Sequence, residues 1–176
     1  MRDQQTRQSK QKLIEAFLVL METKSFETIT ITDITKKAGV ARLTFYRHFE
    51  SKEAVLLAYL DAIFEIYLEE LSKMGSRDLR GGLCRCFEYW QRDKRLPNLL
   101  AQHGTMPLVQ QSFGTYFQRV LDTNILPHKL SYFQRRFIEG GLLSVMMDWI
   151  ADPQGLLPKE MADLVLGLIS ICAGSH

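Results

Sequence analysis

The chain has 176 residues, of which 46% are hydrophobic and 24% are charged. This length and apolar content suffice for a hydrophobic core and exclude a chain that is disordered throughout. The formal net charge is only +2, but residues 1–52 hold ten Lys and Arg against six Asp and Glu (+4), whereas residues 53–176 hold twelve against fourteen (−2). This asymmetry indicates a basic amino-terminal part that suits a polyanion, joined to a nearly neutral body.

The three cysteines do not have the spacing of a metal site. Cys84 and Cys86 are separated by one residue, Cys172 lies far along the chain, and no histidine stands beside them. This arrangement supplies too few ligands for zinc. The sequence therefore predicts small, buried hydrophobic side chains in a reducing cytoplasm, with no metal and no other cofactor.

No apolar run reaches the roughly 18 residues that a membrane-spanning helix needs. The first twelve residues, MRDQQTRQSKQK, are polar and contain no apolar core of a signal peptide. We therefore expect a cytoplasmic protein that makes no contact with a membrane.

Apolar residues recur at helical spacing along almost the whole chain, and this pattern predicts an all-α protein. The first helix is predicted from Leu13, Ile14, Phe17, Leu20 and Met21. After the sequence SFETIT, Thr30 is placed to cap a second helix that begins at Ile31, and Asp33 stands three residues on, as in a capping box.

A glycine turn is predicted next. Gly39 follows the second helix directly and can take the left-handed conformation that ends a helix. A third, short helix then begins near Ala41 or Arg42 and ends near His48. Ser51 is expected to cap a fourth and much longer helix that spans both halves of the molecule.

Glycines and prolines divide the chain beyond residue 75 into about five further helices. The longest, near 131–150, contains Gly140 and Gly141, which cost about 1 kcal/mol each relative to alanine in a helix. Close approach of another helix is the expected compensation. The last helix begins at Pro158, whose missing N–H does no harm in a first turn.

The second and third helices, with the glycine between them, have the pattern of a helix-turn-helix, in which the second helix of the pair enters the major groove of DNA. The apolar residues expected to hold the two helices together are Ile34, Ala38, Val40 and Phe45. The residues expected on the outer face or along its edge are Arg42, Leu43, Thr44, Tyr46, Arg47 and His48.

The side chains of the third helix suggest individual roles on DNA. Arg42 suits a bidentate contact to guanine, Leu43 suits a thymine methyl group, and Thr44 suits a base or a phosphate. Tyr46 and His48 suit the phosphate backbone.

Lys52 stands at the amino end of the fourth helix, where free N–H groups also favour an anion, and this position predicts a phosphate contact. On spacing alone, the same pattern also fits a three-helix packing unit with a solvated basic face.

The string TITDITKKAGVARLTFYRHFESKE, residues 30–53, resembles the signature of TetR/AcrR-type transcriptional regulators, and the similarity extends over residues 6–60. The resemblance implies DNA contacts from the outer residues of the third helix, a phosphate contact from Lys52, and a further candidate in Thr32. Many members have Ser where this chain has Ala41, which cannot cap the third helix through its side chain.

The resemblance also implies two domains and a dimer. Residues 1–52 would form the helix-turn-helix domain, and residues 53–176 a helical domain for effector binding and dimerisation. In this family the last two helices usually form a four-helix bundle with those of a second copy, so a homodimer would bind a palindromic operator in double-stranded DNA. The residues assigned to the dimer interface are Gly140, Gly141, Trp149, Met161, Leu164, Val165 and Leu168.

The late helices resemble a TetR subgroup that includes dihydroxyacetone-kinase activator-type regulators. The pattern of that subgroup is F-x-x-G-G, then W-I, then P-x-E-M-A. The matching residues are Phe137, Gly140, Gly141, Trp149, Ile150, Pro158, Glu160, Met161 and Ala162. Some relatives in the subgroup act by binding a partner protein.

A pocket for a small apolar or aromatic effector is predicted among the central helices. Its candidate lining residues are Phe64, Tyr67, Trp90, His103, Met106, Phe113, Tyr116, Phe117 and Met146. The resulting hypothesis is a dimeric repressor whose effector tilts the long fourth helix and so lowers operator affinity. The alternative is a regulator that answers to a protein partner and has no small effector; a collapsed centre would favour it, and a cavity of several hundred cubic ångströms would favour the effector.

An enzyme is not predicted. The sequence contains no nucleophile turn and no phosphate-binding glycine loop, and its four histidines are scattered.

Overall fold

The structure is a computed structural model that describes residues 2–73, 78–92, 105–122, 130–151 and 155–172. These residues form eight α-helices and one short 3-10 helix, without a strand, and the predicted all-α fold is confirmed. The amino-terminal elements are α1 (Arg2–Met21), the 3-10 turn (Phe26–Thr28), α2 (Ile31–Ala38), α3 (Arg42–Tyr46) and α4 (Lys52–Lys73). The later elements are α5 (Leu79–Arg92), α6 (Met106–Asp122), α7 (Tyr132–Ala151) and α8 (Pro158–Cys172).

Helices α1 to α3 and the first turns of α4 form one unit, called here the head. Its centre consists of side chains with no exposed surface, which are Leu13, Phe17, Met21, Ile34, Phe45, Val55 and Leu56. Since Val55 and Leu56 belong to α4, the long helix contributes to the core of the head as well as to the rest of the chain.

The start of helix α2 is fixed by hydrogen bonds between Thr30 and Asp33. The Thr30 hydroxyl accepts a hydrogen bond from the Asp33 N–H at 3.1 Å, and the Asp33 carboxylate accepts from the Thr30 N–H at 3.0 Å. This is the reciprocal capping box predicted from the sequence. Lys24 adds an ion pair to Asp33 at 3.1 Å, and these bonds, those from Thr30 foremost, lower the pKa of Asp33 to about 2.

The rest of α4 and helices α5 to α8 form the body. Helix α4 packs along α6, and α5 packs along α8. Two polar links join α4 to α6: the Ser112 hydroxyl donates to the Asp61 carboxylate at 2.5 Å, and Arg119 pairs with Glu65, with one N–O distance of 3.0 Å. The long helix is thus attached to the head at one end and to α6 farther along.

The exposed apolar surface of the body lies mainly on α7 and α8. The exposed residues there are Tyr132, Phe133, Phe137, Leu164, Leu168 and Ile171. Between the two helices, Phe137, Gly141, Leu142, Val145 and Leu168 are among the residues that line an apolar cavity of about 240 Å³. Over the described residues, no helix combines the length and the hydropathy that crossing a membrane requires.

Candidate nucleic-acid interface

The turn between α2 and α3 holds the two helices at a fixed angle. Gly39 has φ +66°, in the left-handed region that glycine occupies without strain. Its N–H donates to the Lys36 carbonyl at 3.3 Å, and the Val40 N–H reaches back to the Thr35 carbonyl at 3.1 Å. This double closure satisfies carbonyl groups at the end of α2. The predicted glycine turn is therefore present.

Helix α3 starts without a side-chain cap. Ala41 precedes it in an extended conformation and makes no side-chain hydrogen bond. Its carbonyl oxygen accepts from Thr44 N–H at 2.8 Å and from Phe45 N–H at 3.3 Å, so the backbone alone starts the helix. The helix ends at Tyr46, two residues before the predicted end, and Phe45 anchors it with a completely buried ring.

One face of α3 points to solvent. Leu43 is 65% exposed and Tyr46 is 47% exposed, and Arg42 and Arg47 are exposed as well. Arg42 Nη2 donates to the Tyr46 hydroxyl at 3.1 Å, and the guanidinium lies 5.6 Å from the centre of the tyrosine ring. Thr44 is half-buried at the edge of this face, and Thr32 is exposed on α2. The structure thus brings most of the predicted DNA-contact residues to one surface.

His48 faces α1. Its Nε2 atom lies 2.8 Å from the Ser9 hydroxyl, and the residue is partly buried. Burial, together with the charges of Lys10 and Arg47, lowers the pKa of His48 below its usual value. A neutral ring bonded to α1 supports the position of α3 and leaves one ring nitrogen at most for DNA.

Lys52, which the sequence predicts to contact a phosphate, is partly buried, and its ammonium is bonded within the chain. Its ammonium donates to three backbone carbonyl oxygens, those of Phe26 at 2.7 Å, Glu27 at 2.9 Å and Ile29 at 3.1 Å. An ammonium group has three N–H donors, and all three are used here. In this geometry no donor remains for the predicted phosphate contact. The three carbonyls lie 23 to 26 residues away along the chain, so no local pattern reveals them.

The residues predicted to line an effector pocket pack against one another. Phe64 stacks on Tyr116 with ring centres 4.8 Å apart, and Tyr67 lies 5.9 Å from Trp90. Phe113 and Phe117 continue this aromatic cluster, and Met146 is buried. Met106 is partly buried, and His103 lies outside the described residues. The aromatic residues of the predicted set therefore form a packed centre.

A second cavity, of about 710 Å³, lies between α6 and α7 and was not predicted. It is an open groove whose mixed lining includes the polar side chains of Gln111, Thr115, Gln118, Arg119 and Glu139. Both of its nearby cations already have partners, since Arg119 pairs with Glu65 and Arg136 with Glu139.

Three residues assigned to the dimer interface are core residues. Trp149 is 5% exposed, its ring packs on Phe87 at 5.1 Å, and its indole N–H donates to the Leu156 carbonyl at 3.1 Å. Met161 and Val165 are 2% and 3% exposed. These three side chains are buried within the single chain, and Val165 also lines the apolar cavity beside Leu168. Their assignment to an interface stays a prediction. Leu164, Leu168, Gly140 and Gly141 are exposed, and no atom lies within 4 Å of a Cβ built on either glycine.

Within the described residues, no group of three or more His, Cys, Asp or Glu is placed to hold a metal ion. The exposed groups on this surface are the guanidinium of Arg42, Leu43 and the phenol of Tyr46 on α3, and a second guanidinium on Arg47 directly after the helix. These are groups that read base edges and bind phosphates.

Residues 13–59 match the family described as bacterial regulatory proteins, tetR family. The HTH-type transcriptional regulator EthR of Mycolicibacterium smegmatis is 39% identical over 71 residues, which is 36% of this chain and 33% of that protein. The match thus spans about a third of the length of that curated relative.

Two solved structures are similar over nearly the whole chain. A TetR transcriptional regulator from Streptococcus agalactiae has a TM-score of 0.74 at 18% identity, with 96% of this chain and 97% of that chain covered. The dihydroxyacetone kinase operon activator DhaS has a TM-score of 0.60 at 15% identity, with 94% and 96% covered. These relatives are regulators and not enzymes. The chain therefore carries the N-terminal domain of the tetR family of bacterial regulatory proteins, on the fold of TetR transcriptional regulators.

Proposed function

We propose that this protein is a sequence-specific, DNA-binding transcriptional repressor that acts in the cytoplasm as a homodimer. The observation that carries the proposal is the exposed face of α3, where Arg42, Leu43, Tyr46 and Arg47 point away from the head. An exposed leucine between two exposed arginines has no role in the core. It suits a groove where guanine acceptors and thymine methyl groups lie side by side.

In this proposal, dimerisation supplies the second copy of α3 that a two-part DNA site requires. Leu164 and Leu168 on α8, with Gly140 and Gly141 on α7, leave an exposed apolar surface beside a cavity of about 240 Å³. A second copy that covers this surface would place two α3 helices on one side of the assembly. A two-fold assembly binds a site with two inverted halves.

Selection of bound duplexes from a random DNA pool tests the proposal. We expect an enriched sequence with two inverted half-sites, and a specific affinity at least about a thousandfold above that for unrelated DNA. The Arg42→Ala variant should lose this enrichment, whereas Lys159→Ala, which removes an exposed cation from α8, should retain it. A pool without enrichment, bound equally by both variants, would contradict the proposal.

We further propose that an apolar ligand enters the aromatic centre and lowers operator affinity. Phe64 on α4 stacks there on Tyr116 of α6, and Tyr67 of α4 packs edge-on against the same ring. Insertion between these rings would separate the two helices. A shift of α4 would then move the head. The test is a titration of operator-bound protein with long-chain acyl and aromatic compounds, followed by fluorescence anisotropy of the DNA.

The second candidate function is control by a protein partner. The observation that favours it is the closed packing of the aromatic centre, together with Tyr132 and Phe133, which are 68% and 80% exposed at the start of α7. If no compound releases the DNA and Phe133→Ser abolishes regulation in cells while operator affinity stays unchanged, the partner is the better explanation.

A further inference from the structure

The ammonium of Lys52 joins two elements that are distant in sequence. It belongs to the first turn of α4, and its three hydrogen bonds of 2.7, 2.9 and 3.1 Å end on the stretch between α1 and α2. The same ammonium lies 4.7 Å from the centre of the Phe26 ring, a cation–π distance. Four interactions of one side chain therefore connect α4 to the α1–α2 stretch.

The acceptors converge because the 3-10 turn ends there. The last carbonyl groups of a short helix lack intrahelical donors and carry partial negative charge. Phe26 O accepts one long bond from Ile29 N–H, at 3.3 Å. A tripod of N–H groups fits three converging carbonyls, and the planar fork of an arginine does not.

The turn that Lys52 holds belongs to the core of the head. Ile29 is 1% exposed, and Phe26 packs edge-on against the buried ring of Phe17 at 6.1 Å. Fixing this turn to the first turn of α4 therefore fixes α1 and α2 to the long helix. Farther along the same helix, Asp61 and Glu65 are bonded to Ser112 and Arg119 of α6, so α4 connects α6 with the head.

We propose that Lys52 is a positioning residue that fastens the α1–α2 turn to α4, so that the head follows α4 as one body, and that it is not a phosphate ligand. The proposal rests on the DNA-binding function proposed above for its consequence on operator affinity. Its structural part does not depend on that function.

The first test measures operator affinity at several salt concentrations for Lys52→Met, with the selected duplex as the probe. We expect binding weaker by about tenfold, because charge-assisted hydrogen bonds are lost, with an unchanged slope of log affinity against log salt. Arg47→Met, which removes an exposed cation from the edge of α3, should flatten the slope by about 0.9. A similar flattening in Lys52→Met would show a phosphate contact and overturn the proposal.

The variant Lys52→Arg provides a second distinction between a positioning role and a phosphate contact. Arginine is an excellent phosphate ligand but does not reproduce the tripod, so we expect it to restore little of the lost affinity. Full recovery of affinity and of the salt slope in Lys52→Arg would contradict the proposal.

A purely stabilising role is distinguished by Thr30→Ala, which weakens the head at a cap and leaves Lys52 in place. Operator affinity should fall much less in Thr30→Ala than in Lys52→Met when both are compared at equal distance from their Tm. Equal losses would overturn the proposal.

Amide hydrogen exchange of the protein without DNA completes the test. Residues 26–30 and 53–56 should lose protection together in Lys52→Met, while α1 keeps its protection. If the wild-type protein selects no DNA sequence, the proposed DNA-binding function is wrong. The exchange pattern still shows whether Lys52 fixes the α1–α2 turn to α4. Unchanged protection in Lys52→Met would refute it.

Discussion

Arg42 and Tyr46 stand one helical turn apart on the exposed face of α3, and Arg42 Nη2 donates to the Tyr46 hydroxyl at 3.1 Å. The phenol holds the guanidinium against the helix before any DNA is present. A side chain that is already oriented loses less conformational entropy on binding. The pair therefore presents a fixed donor fork at the surface that we assign to the major groove.

The first prediction concerns this pair. Arg42→Ala should cost about 1–3 kcal/mol of specific binding and relax the sequence preference at one base position. Tyr46→Phe, which keeps the ring and removes the hydroxyl, should cost less and leave the preference unchanged. Competition binding against operators mutated one base pair at a time measures both, and an Arg42→Ala variant with wild-type affinity and preference would remove Arg42 from the set of base-reading residues.

The second prediction concerns the capping box. Asp33 has a folded-state pKa of about 2 against an ordinary value of 3.8, so folding favours its charged form. This contribution is fully present above about pH 4 and is lost as the pH falls towards 2. Urea unfolding of wild-type protein between pH 5 and pH 2.5 should show the loss.

The variant Asp33→Asn cannot titrate at this position and should show a shallower fall of stability over the same window. Thr30→Ala, which removes the largest cause of the shift, should do the same and should lower stability at pH 7 by about 1 kcal/mol. Parallel stability curves for wild type and Asp33→Asn would count against the assigned pKa.

The third prediction concerns the turn. Gly39 has φ +66°, and no atom lies within 4 Å of a Cβ built on it. Gly39→Ala should therefore cost about 1–2 kcal/mol from backbone conformation alone, and Gly39→Asn should cost less, since asparagine tolerates this region. Thermal unfolding measures the order of the three proteins; a larger loss in Gly39→Asn than in Gly39→Ala would disagree with the conformational explanation.

The helix boundaries of the head were predictable from the sequence because short-range hydrogen bonds set them. Thr30, Gly39 and Ser51 act on backbone groups three to five residues away, and Ser51 indeed accepts from the Ala54 N–H at 3.3 Å. Such short-range bonds leave a readable spacing in the sequence. The weak start of α3 at Ala41 was predictable for the same reason.

The roles of Lys52 and Trp149 were not predictable because their partners are remote. The sequence contains a lysine at a helix start, but nothing nearby reveals three carbonyls of residues 26 to 29. Helix α7 is apolar on several sides, so its period does not distinguish the face that packs on Phe87 from the face that carries Phe137. Only tertiary packing separates interface candidates from core.

The fourth prediction concerns the dimer. Leu168 is 48% exposed and lines the apolar cavity between α7 and α8. Leu168→Glu should place a charge in the proposed interface and dissociate the dimer, because a buried unpaired carboxylate is strongly unfavourable. Sedimentation at micromolar concentration should show twice the chain mass of 20.3 kDa for wild type and a single chain mass for the variant.

Leu157→Glu is the matched control, because Leu157 is 59% exposed and lies in the turn before α8. It should remain dimeric. Wild-type protein that sediments only as single chains would refute the interface, and so would a Leu168→Glu variant that stays dimeric.

The fifth prediction uses the thiols as reporters of the aromatic centre. Burial raises the pKa of Cys86 to about 12, and its thiol is hydrogen-bonded to the hydroxyl of Tyr116. The thiolate, which is the reactive form, is therefore scarce at pH 8. Iodoacetamide labelling followed by peptide mass mapping should find Cys86 unmodified long after Cys172 has reacted, and all three cysteines modified at similar rates in strong denaturant.

A ligand that separates α4 from α6 at Tyr116 should expose this thiol and accelerate its labelling. The same compound should then lower operator affinity, because both effects would follow from one movement. Phe64→Ala, which removes the ring stacked on Tyr116 at 4.8 Å, should accelerate labelling without any compound. Rapid labelling of Cys86 in the free wild-type protein would show that the centre is open, and the proposed coupling between ligand entry and helix separation would then fail.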